Sequence, residues 1–542
     1  MECEAGWFMV KLKKISFPKI SFSKIKERLR SLFQVTPKTK IEATRPRFRA
    51  EPLVAVIEGE VLDKYTIDQA VVFIVDRDGR GYYLVHEPPL NEEEQRIYGL
   101  LMENLYYSLR PTTIIPEDPL KYVEGFIYEV AEELGMLEQI QRSFRKFKYY
   151  ITKDAFGYGP IHVMMNDPEI EEVSCVGYGR PVNVIHRKFT QYDWLESNVR
   201  FPSEEALGRF VQRLAQKAGK SVTVAIPFVD AMTKEGHRIA VTFGGEVTLP
   251  GSSFCIRKFP VEPLSMGHII RLGTLSPLMA SYLWLIEEYK GFILVVGPMS
   301  SGKTTMVNCL LTMIPPVLKI VTVEDTPELK IPHKNWERFK VRRAYSITET
   351  KYDVDLFDLV KLSLRYRPDY ISVGEIRGEE AKALIQAASL GHGAISTLHA
   401  EGPKAAFIRL TTAPMNVERG SLLLISAIVT LHRIKRPSGV VVRRVVDISE
   451  VVPNKRGEPT IKKIFSWDPA KDTFRPATVE EVVAKSEKLK TVAELAGWNK
   501  ERLIQELKIR TKYLTELVEE GKISYSAFSE AMRQFYKGEW KA

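Results

Sequence analysis

The chain has 542 residues, is 44% hydrophobic and 27% charged, and carries a formal net charge of +10. Such a length exceeds one compact core and predicts two to four domains, and such a composition excludes a disordered chain. The charge excludes a basic nucleic-acid-binding domain. Residues 1–50 hold thirteen Lys or Arg against four Glu, so +9 of the +10 sits in an N-terminal tail.

The cysteines Cys3, Cys175, Cys255 and Cys309 form no C-x-x-C pair. That predicts no zinc site and no disulfide scaffold, and it fits a reducing cytoplasm. No apolar run reaches the roughly 18–20 residues of a membrane span. The longest, Leu422 to Leu431, is interrupted by Ser426 and Thr430 and reads as a buried strand or helix. No apolar signal segment precedes a small-residue cleavage site. Contact with a membrane is therefore expected to be peripheral.

Residues 1–50 are read as a basic tail. Within it, Lys14-Ile15-Ser16-Phe17-Pro18, Lys19-Ile20-Ser21-Phe22-Ser23 and Lys24-Ile25-Lys26 repeat a cation with large apolar groups. Such a segment can place Phe and Ile at an anionic bilayer surface beside Lys. A solvated tail and a protein- or nucleic-acid-docking segment are the alternatives. Pro18 argues against one continuous helix.

Residues 51–150 read as an α+β domain. Val71–Val75 and Tyr82–Val85 flank Asp76-Arg77-Asp78-Gly79 as a hairpin. Helical patterns follow from Asn91 to Leu109 and from Pro119 to Phe147. Residues 151–258 form a second unit, with strands at 171–176, 182–186, 238–242 and 253–257 and a helix from Ser203 to Lys217. Residues 259–278 read as a linker whose start, Phe259-Pro260-Val261-Glu262-Pro263, contains two prolines. Residues 279–478 alternate strands (292–296, 319–323, 370–373, 394–398, 427–431) with helices. That alternation predicts an α/β domain with a largely parallel, covered sheet. Residues 479–542 read as a polar helical segment.

The strand at 292–296 runs into Gly297-Pro298-Met299-Ser300-Ser301-Gly302-Lys303-Thr304, and a helical run follows. Strand, G-x-x-x-x-G-K-T and helix together make a phosphate-binding loop. Gly297 and Gly302 let backbone amides, including those of Ser300 and Ser301, turn toward phosphates. The helix start, with Thr305, adds its positive dipole end. Lys303 is expected on the β- and γ-phosphates of ATP and Thr304 on Mg²⁺.

Three later segments supply chemistry that binding alone lacks. Glu324, in Val321-Thr322-Val323-Glu324-Asp325-Thr326-Pro327-Glu328, follows a strand end, where open α/β sheets hold ligands. It is the preferred general base, with Glu375 as the alternative. Glu375 ends the apolar strand of Tyr370-Ile371-Ser372-Val373-Gly374-Glu375-Ile376-Arg377. It stands where P-loop enzymes hold Mg²⁺, with Gly374 in place of a common Asp. Arg377 is either a γ-phosphate or subunit contact, or a helix-start salt bridge. His399, in Gly391-His392-Gly393-Ala394-Ile395-Ser396-Thr397-Leu398-His399, is a γ-phosphate sensor candidate, and His392 is a weaker one.

In this order and at these spacings, the four segments resemble the Walker A motif, Asp box, Walker B motif and His box of type II and type IV secretion ATPases. The resemblance spans roughly residues 150–450. Thr326-Pro327-Glu328-Leu329 and Arg365-Tyr366-Arg367-Pro368-Asp369 look most like the archaeal branch, which includes archaellum and archaeal type IV pilus motors. The resemblance implies a RecA-like P-loop ATPase domain, preceded by a smaller PAS-like α+β domain and a further N-terminal domain. It implies a homo-hexamer that hydrolyses ATP and acts on a polytopic inner-membrane platform protein from the cytoplasmic face. It also implies arginines reaching ATP from the PAS-like domain. Gly236-His237-Arg238-Ile239-Ala240 and Ser252-Ser253-Phe254-Cys255-Ile256-Arg257 look like those segments, pointing to Arg238 and Arg257, although an Arg on a strand is more often a plain surface residue. Tyr366 and Leu390 depart from the family's common Gln and Thr. Two other readings compete. A nucleotide-gated scaffold with little turnover is disfavoured by Glu324, Glu375 and His399. A RecA-like nucleic-acid translocase is disfavoured by the near-neutral body, so no nucleic-acid partner is expected.

Overall fold

A computed structural model describes residues 48–108, 119–260, 262–342, 353–436 and 439–539. The repeat at 14–28 lies outside the described residues, so its proposed membrane role finds no structural test. The described strands form two nine-stranded sheets.

The first sheet is built from β1 (Glu60–Ile67), β2 (Ala70–Arg77), β3 (Arg80–His86), β4 (Ile170–Cys175), β5 (Pro181–His186), β6 (Leu195–Arg200), β7 (Phe228–Met232), β8 (Arg238–Thr242) and β9 (Ser253–Arg257). Its order is β1-β2-β3-β6-β5-β4-β9-β8-β7. The hairpin expected around Asp76–Gly79 is β2–β3. β3 joins β6 in parallel through Tyr82 and Tyr83. Strands from both sides of residue 150 thus share one sheet, and one hydrophobic core runs from Ala50 to Ile256. The helical stretch expected from Pro119 to Phe147 is broken. Pro119–Leu134 ends at Gly135, whose φ of +65° is readily reached without a Cβ, and Leu137–Arg142 and Phe144–Ile151 follow.

Several buried polar groups in this body are paired. Lys153 Nζ lies 2.6 Å from Glu87 Oε2, and Tyr149 donates to Glu87 Oε1 at 2.6 Å. The Asp167 carboxylate accepts from Tyr65 at 2.7 Å and Tyr83 at 2.9 Å. Buried Lys258 donates to the carbonyls of Met164 at 2.8 Å and Asp167 at 2.5 Å. That anchors the chain where it leaves β9.

The second sheet comprises β10 (Phe292–Gly297), β11 (Ile320–Glu324), β12 (Trp336–Lys340), β13 (Tyr370–Ile376), β14 (Gly393–His399), β15 (Ile425–Lys435), β16 (Val441–Pro453), β17 (Pro459–Asp468) and β18 (Thr473–Arg475). Its order is β12-β11-β13-β14-β10-β15-β16-β17-β18. The first six are parallel and the last three antiparallel. Every residue of β10 is buried, as a strand covered on both faces requires. Alternation along it divides two cores. Ile293 and Val295 pack with the helices Pro277–Glu288 and Lys303–Leu311, and Leu294 and Val296 pack with Leu356–Leu364 and Glu380–Ser389.

The segment after β9 is not all linker-like. Helix Met266–Arg271 buries Met266 and Ile269 in the first of those cores. The C-terminal helices Val479–Lys485, Glu487–Ala496, Lys500–Glu519 and Tyr525–Tyr536 join the same core. Arg510 pairs with Glu288 at 2.7 Å and lies over the Trp284 ring. Among the described residues no helix is long and apolar enough to cross a membrane.

Candidate nucleotide site

The phosphate loop leaves β10 and enters helix Lys303–Leu311. Gly302 caps that helix at φ +96°, and Ser300 holds φ +57°. Gly297 is tightly enclosed: a Cβ there would stand 2.3 Å from the Leu431 carbonyl oxygen. Buried Ser301 donates through Oγ to Pro298 O at 2.9 Å. Lys303 is buried and donates to the same carbonyl at 2.8 Å. Burial lowers its pKa to about 8; nearby Arg257 adds to the effect and Glu375 opposes it. The loop is thus a shaped, electropositive bend. Thr304 and Thr305 are half-buried in the first helical turn.

His399 ends β14, directly opposite Gly297 in the parallel register. Its Nδ1 lies 3.3 Å from Lys303 Nζ and its Nε2 3.2 Å from Glu375 Oε1. Lysine only donates, so Nδ1 accepts, and Nε2 carries the proton toward the carboxylate. Burial lowers the His399 pKa, with Lys303 next in effect, which keeps the ring neutral. Arg377 closes the row, with Nη2 2.5 Å from Glu375 Oε2. Burial raises the Glu375 pKa, but the Arg377 hydrogen bond and surrounding cations outweigh it, and the group stays ionised. The Arg377 backbone N–H donates to Glu380 Oε1 at 2.5 Å, so this arginine is both carboxylate partner and helix-start contact. His392 is at the opposite end of β14, with its Nδ1 2.7 Å from Pro368 O. The structure does not bring it to the loop.

Glu324 ends β11 and is 3% exposed. Burial raises its pKa to about 7, against hydrogen bonds from the backbone N–H groups of Glu328 and Leu329, 2.8 Å and 3.0 Å from Oε1. β11 neighbours β13, and a Cβ at Gly374 would stand 3.2 Å from Glu324 Cγ. The glycine in place of a Walker B aspartate therefore has a steric partner: the Glu324 side chain occupies the adjoining space.

Arg238 and Arg257 come from the first sheet and stand directly opposite each other on β8 and β9. Like charges so placed repel. Arg238 is held by Asp230, with Nε–Oδ1 2.9 Å and Nη2–Oδ2 2.6 Å, and it also feels Asp325 and Glu328 of the second body. Arg257 is exposed, with its guanidinium 5.7 Å from the Phe259 ring centroid. The bodies also touch through Lys330 Nζ and Pro260 O at 2.8 Å, and through Arg433 and Asp193 at 3.6 Å.

The residues fit magnesium. Thr304 offers a hydroxyl that makes no hydrogen bond among the described residues, and Glu375 offers a carboxylate. Both are hard oxygen donors. No cluster of three His, Cys, Asp or Glu side chains forms a metal cage among the described residues. A Mg²⁺ arriving with nucleotide phosphates needs only one or two protein oxygens.

Two arginines escaped the sequence reading. Arg409 Nη1 donates to His399 O. Arg443, on β16, donates through Nε to Ser300 O at 3.1 Å and lies over Gly302, where an added Cβ would stand 3.3 Å from its Cδ. Neither belongs to a motif; Arg409 comes from helix Pro403–Thr411 and Arg443 from β16, so only the folded structure reveals them.

Residues 183–523 match the family model described as Type II/IV secretion system protein. The Methanocaldococcus jannaschii protein MJ0900 is 32% identical over 479 residues, covering 84% of this chain and 85% of the relative. Protein VirB11 of Agrobacterium fabrum is 41% identical over 133 residues, covering 24% of this chain and 38% of VirB11. Among solved structures, the Legionella pneumophila ATPase DotB is 16% identical, with a TM-score of 0.37, over 68% of this chain and 92% of DotB. The long family match over a two-sheet α/β fold, with its four motif segments gathered at the carboxyl ends of neighbouring strands, has one consequence: the chain belongs to the type II/IV secretion system protein family.

Proposed function

We propose that the chain is a hexameric motor that hydrolyses ATP and transmits the resulting movement to a polytopic membrane platform, assembling or rotating a type IV-pilus-like filament or driving secretion. One observation carries this reading. Glu324, Glu375, His399 and the phosphate loop stand at the carboxyl ends of four consecutive strands, β11-β13-β14-β10. Ligands of open α/β sheets bind in that position.

In this mechanism Lys303 and the loop amides hold the β- and γ-phosphates. Thr304 and Glu375 hold Mg²⁺, which supplies charge neutralisation at the phosphates when bound. Glu324 takes a proton from water as the water oxygen bonds to the γ-phosphorus and the bond to the ADP oxygen breaks. His399 turns its Nε2–H from Glu375 to the γ-phosphate, while its Nδ1 accepts from Lys303. Arg238 and Arg257 meet the phosphates from the first sheet, so nucleotide favours closure by its greater affinity for the closed state. The basic tail holds the ring near an anionic, cytoplasmic membrane face.

The test is release of inorganic phosphate from Mg-ATP by the purified chain, alongside its mass in solution with a non-hydrolysable ATP analogue. Turnover that falls with Glu324→Gln, and a six-fold assembly, support the reading. A wild-type chain that releases no phosphate ends it. Loss of liposome binding on deleting residues 1–30 tests the tail; unchanged binding removes the membrane role.

A further inference from the structure

We propose that Arg443 is a phosphate-binding residue of the nucleotide site, delivered to the loop from the antiparallel half of the second sheet. The inference rests on the nucleotide reading above and deepens it.

Arg443 reaches the loop by geometry that no motif encodes. β15 runs parallel to β10, and β16 returns antiparallel beside it, so Val442 to Val445 pass Ile434 to Leu431 near the loop. From there Arg443 Nε donates to Ser300 O at 3.1 Å. Its Nη1 and Nη2 make no hydrogen bond among the described residues, leaving four N–H groups on a planar fork suited to phosphate.

Its surroundings favour an anion. Arg433, Arg187 and Arg257 all bear on Arg443, and Glu171 counters them. These neighbours come from both sheets. Arg187 donates to Lys258 O at 3.5 Å, while its buried Nε has no partner. Arg433 has Asp193 at 3.6 Å. Burial lowers the pKa of Arg443, and the like charges lower it further. A half-buried guanidinium held among three others is unfavourable until negative charge enters. A nucleotide polyphosphate on the adjoining loop supplies that charge. Arg443 therefore adds affinity for the phosphates, and it also ties the second sheet to Arg187 and Arg257 of the first when they are present.

A purely structural role would be to brace the Ser300 carbonyl, and the experiment separates the two. The full chain and its Arg443→Gln and Arg443→Lys variants are titrated with ADP and with inorganic tripolyphosphate, reading affinity and the ligand-induced rise in melting temperature. A lost charge-assisted contact weakens binding about tenfold or more. We expect that loss for both ligands in Arg443→Gln, with partial recovery in Arg443→Lys and an unliganded melting temperature close to wild type. Wild-type affinity in Arg443→Gln overturns the inference, as does a drop in unliganded melting temperature with affinity retained. If the wild-type chain itself binds neither ligand, the nucleotide reading falls and takes this inference with it.

Discussion

Lys303 Nζ lies 3.3 Å from His399 Nδ1, which ties the phosphate-loop lysine to the end of the neighbouring strand β14, 96 positions further along the chain. The same ring reaches Glu375 at 3.2 Å through Nε2, so one neutral imidazole bridges a cation and an anion. His399→Ala should lower kcat about 10²-fold, the usual loss when one pre-oriented polar group is removed. His399→Gln should recover part of it, because an amide can accept from Lys303 and donate to Glu375. Steady-state phosphate release on both variants checks this; equal loss in Ala and Gln removes the bridging role.

Glu324→Gln should reduce turnover by about 10²- to 10⁴-fold, the range for a positioned general base, while ATP binding persists. Retained wild-type turnover would assign the base elsewhere, with Glu375 next in line.

The pH dependence follows from burial of the same group. With its pKa raised to about 7, Glu324 becomes the ionised base only as pH rises through that value. Turnover should climb between about pH 6 and 8, and Glu324→Gln should flatten the climb. The stability effect has the opposite sign. Between the ordinary 4.5 and about 7, the folded chain keeps a proton that the unfolded chain has released. This group's contribution to stability is therefore lost as pH rises through that window. Melting temperatures of wild type and Glu324→Gln across pH 4 to 8 should converge at the acid end.

Arg238 is held by Asp230 in a two-point ion pair at 2.9 Å and 2.6 Å, both side chains partly exposed. Such pairs contribute little to stability. Asp230→Ala should leave the melting temperature nearly unchanged but alter nucleotide affinity by freeing Arg238. Arg238→Ala should lower turnover in both backgrounds. If Asp230→Ala changes nothing while Arg238→Ala does, the pair does not restrain the arginine.

The buried Lys153–Glu87 pair of the first body should be structurally expensive to break. Lys153→Met leaves Glu87 buried opposite an apolar chain and should cost about 3–5 kcal/mol. Chemical denaturation measures it, and Glu87→Gln combined with Lys153→Met should recover part of the loss.

Local chemistry was readable before folding wherever residues act on neighbours in the chain. The 238–242 and 253–257 strands, the helix from 204 capped by Ser203, and the strand–loop–helix at 292–311 all match, because alternation, capping and glycine turns are short-range. Strands such as Leu195–Arg200 and Phe228–Met232 were not legible. Their pairing partners, rather than their own patterns, hold them in place.

The order of strands shows the same division. Nothing in the chain announces that β3 would pair with β6 and carry one sheet and one core across residue 150. Parallel pairing at long sequence separation depends on which apolar faces are left to bury, and that is known only when every element is present.

Sequence alone sufficed to single out the candidate groups of the proposed chemistry: a glycine-bent loop with Lys303 and Thr304, then Glu324, Glu375 and His399 at strand ends. Those depend on residue type and immediate context. Folding was needed for the distances among them and for their charge states. Burial moves Glu324 up to about 7 and Lys303 down to about 8, and register sets His399 opposite Gly297. It was needed as well for Arg443, which reaches the loop from 143 positions away because an antiparallel return brings it there. Desolvation and cross-strand neighbours are properties of the assembled sheet, so no run of residues could carry them.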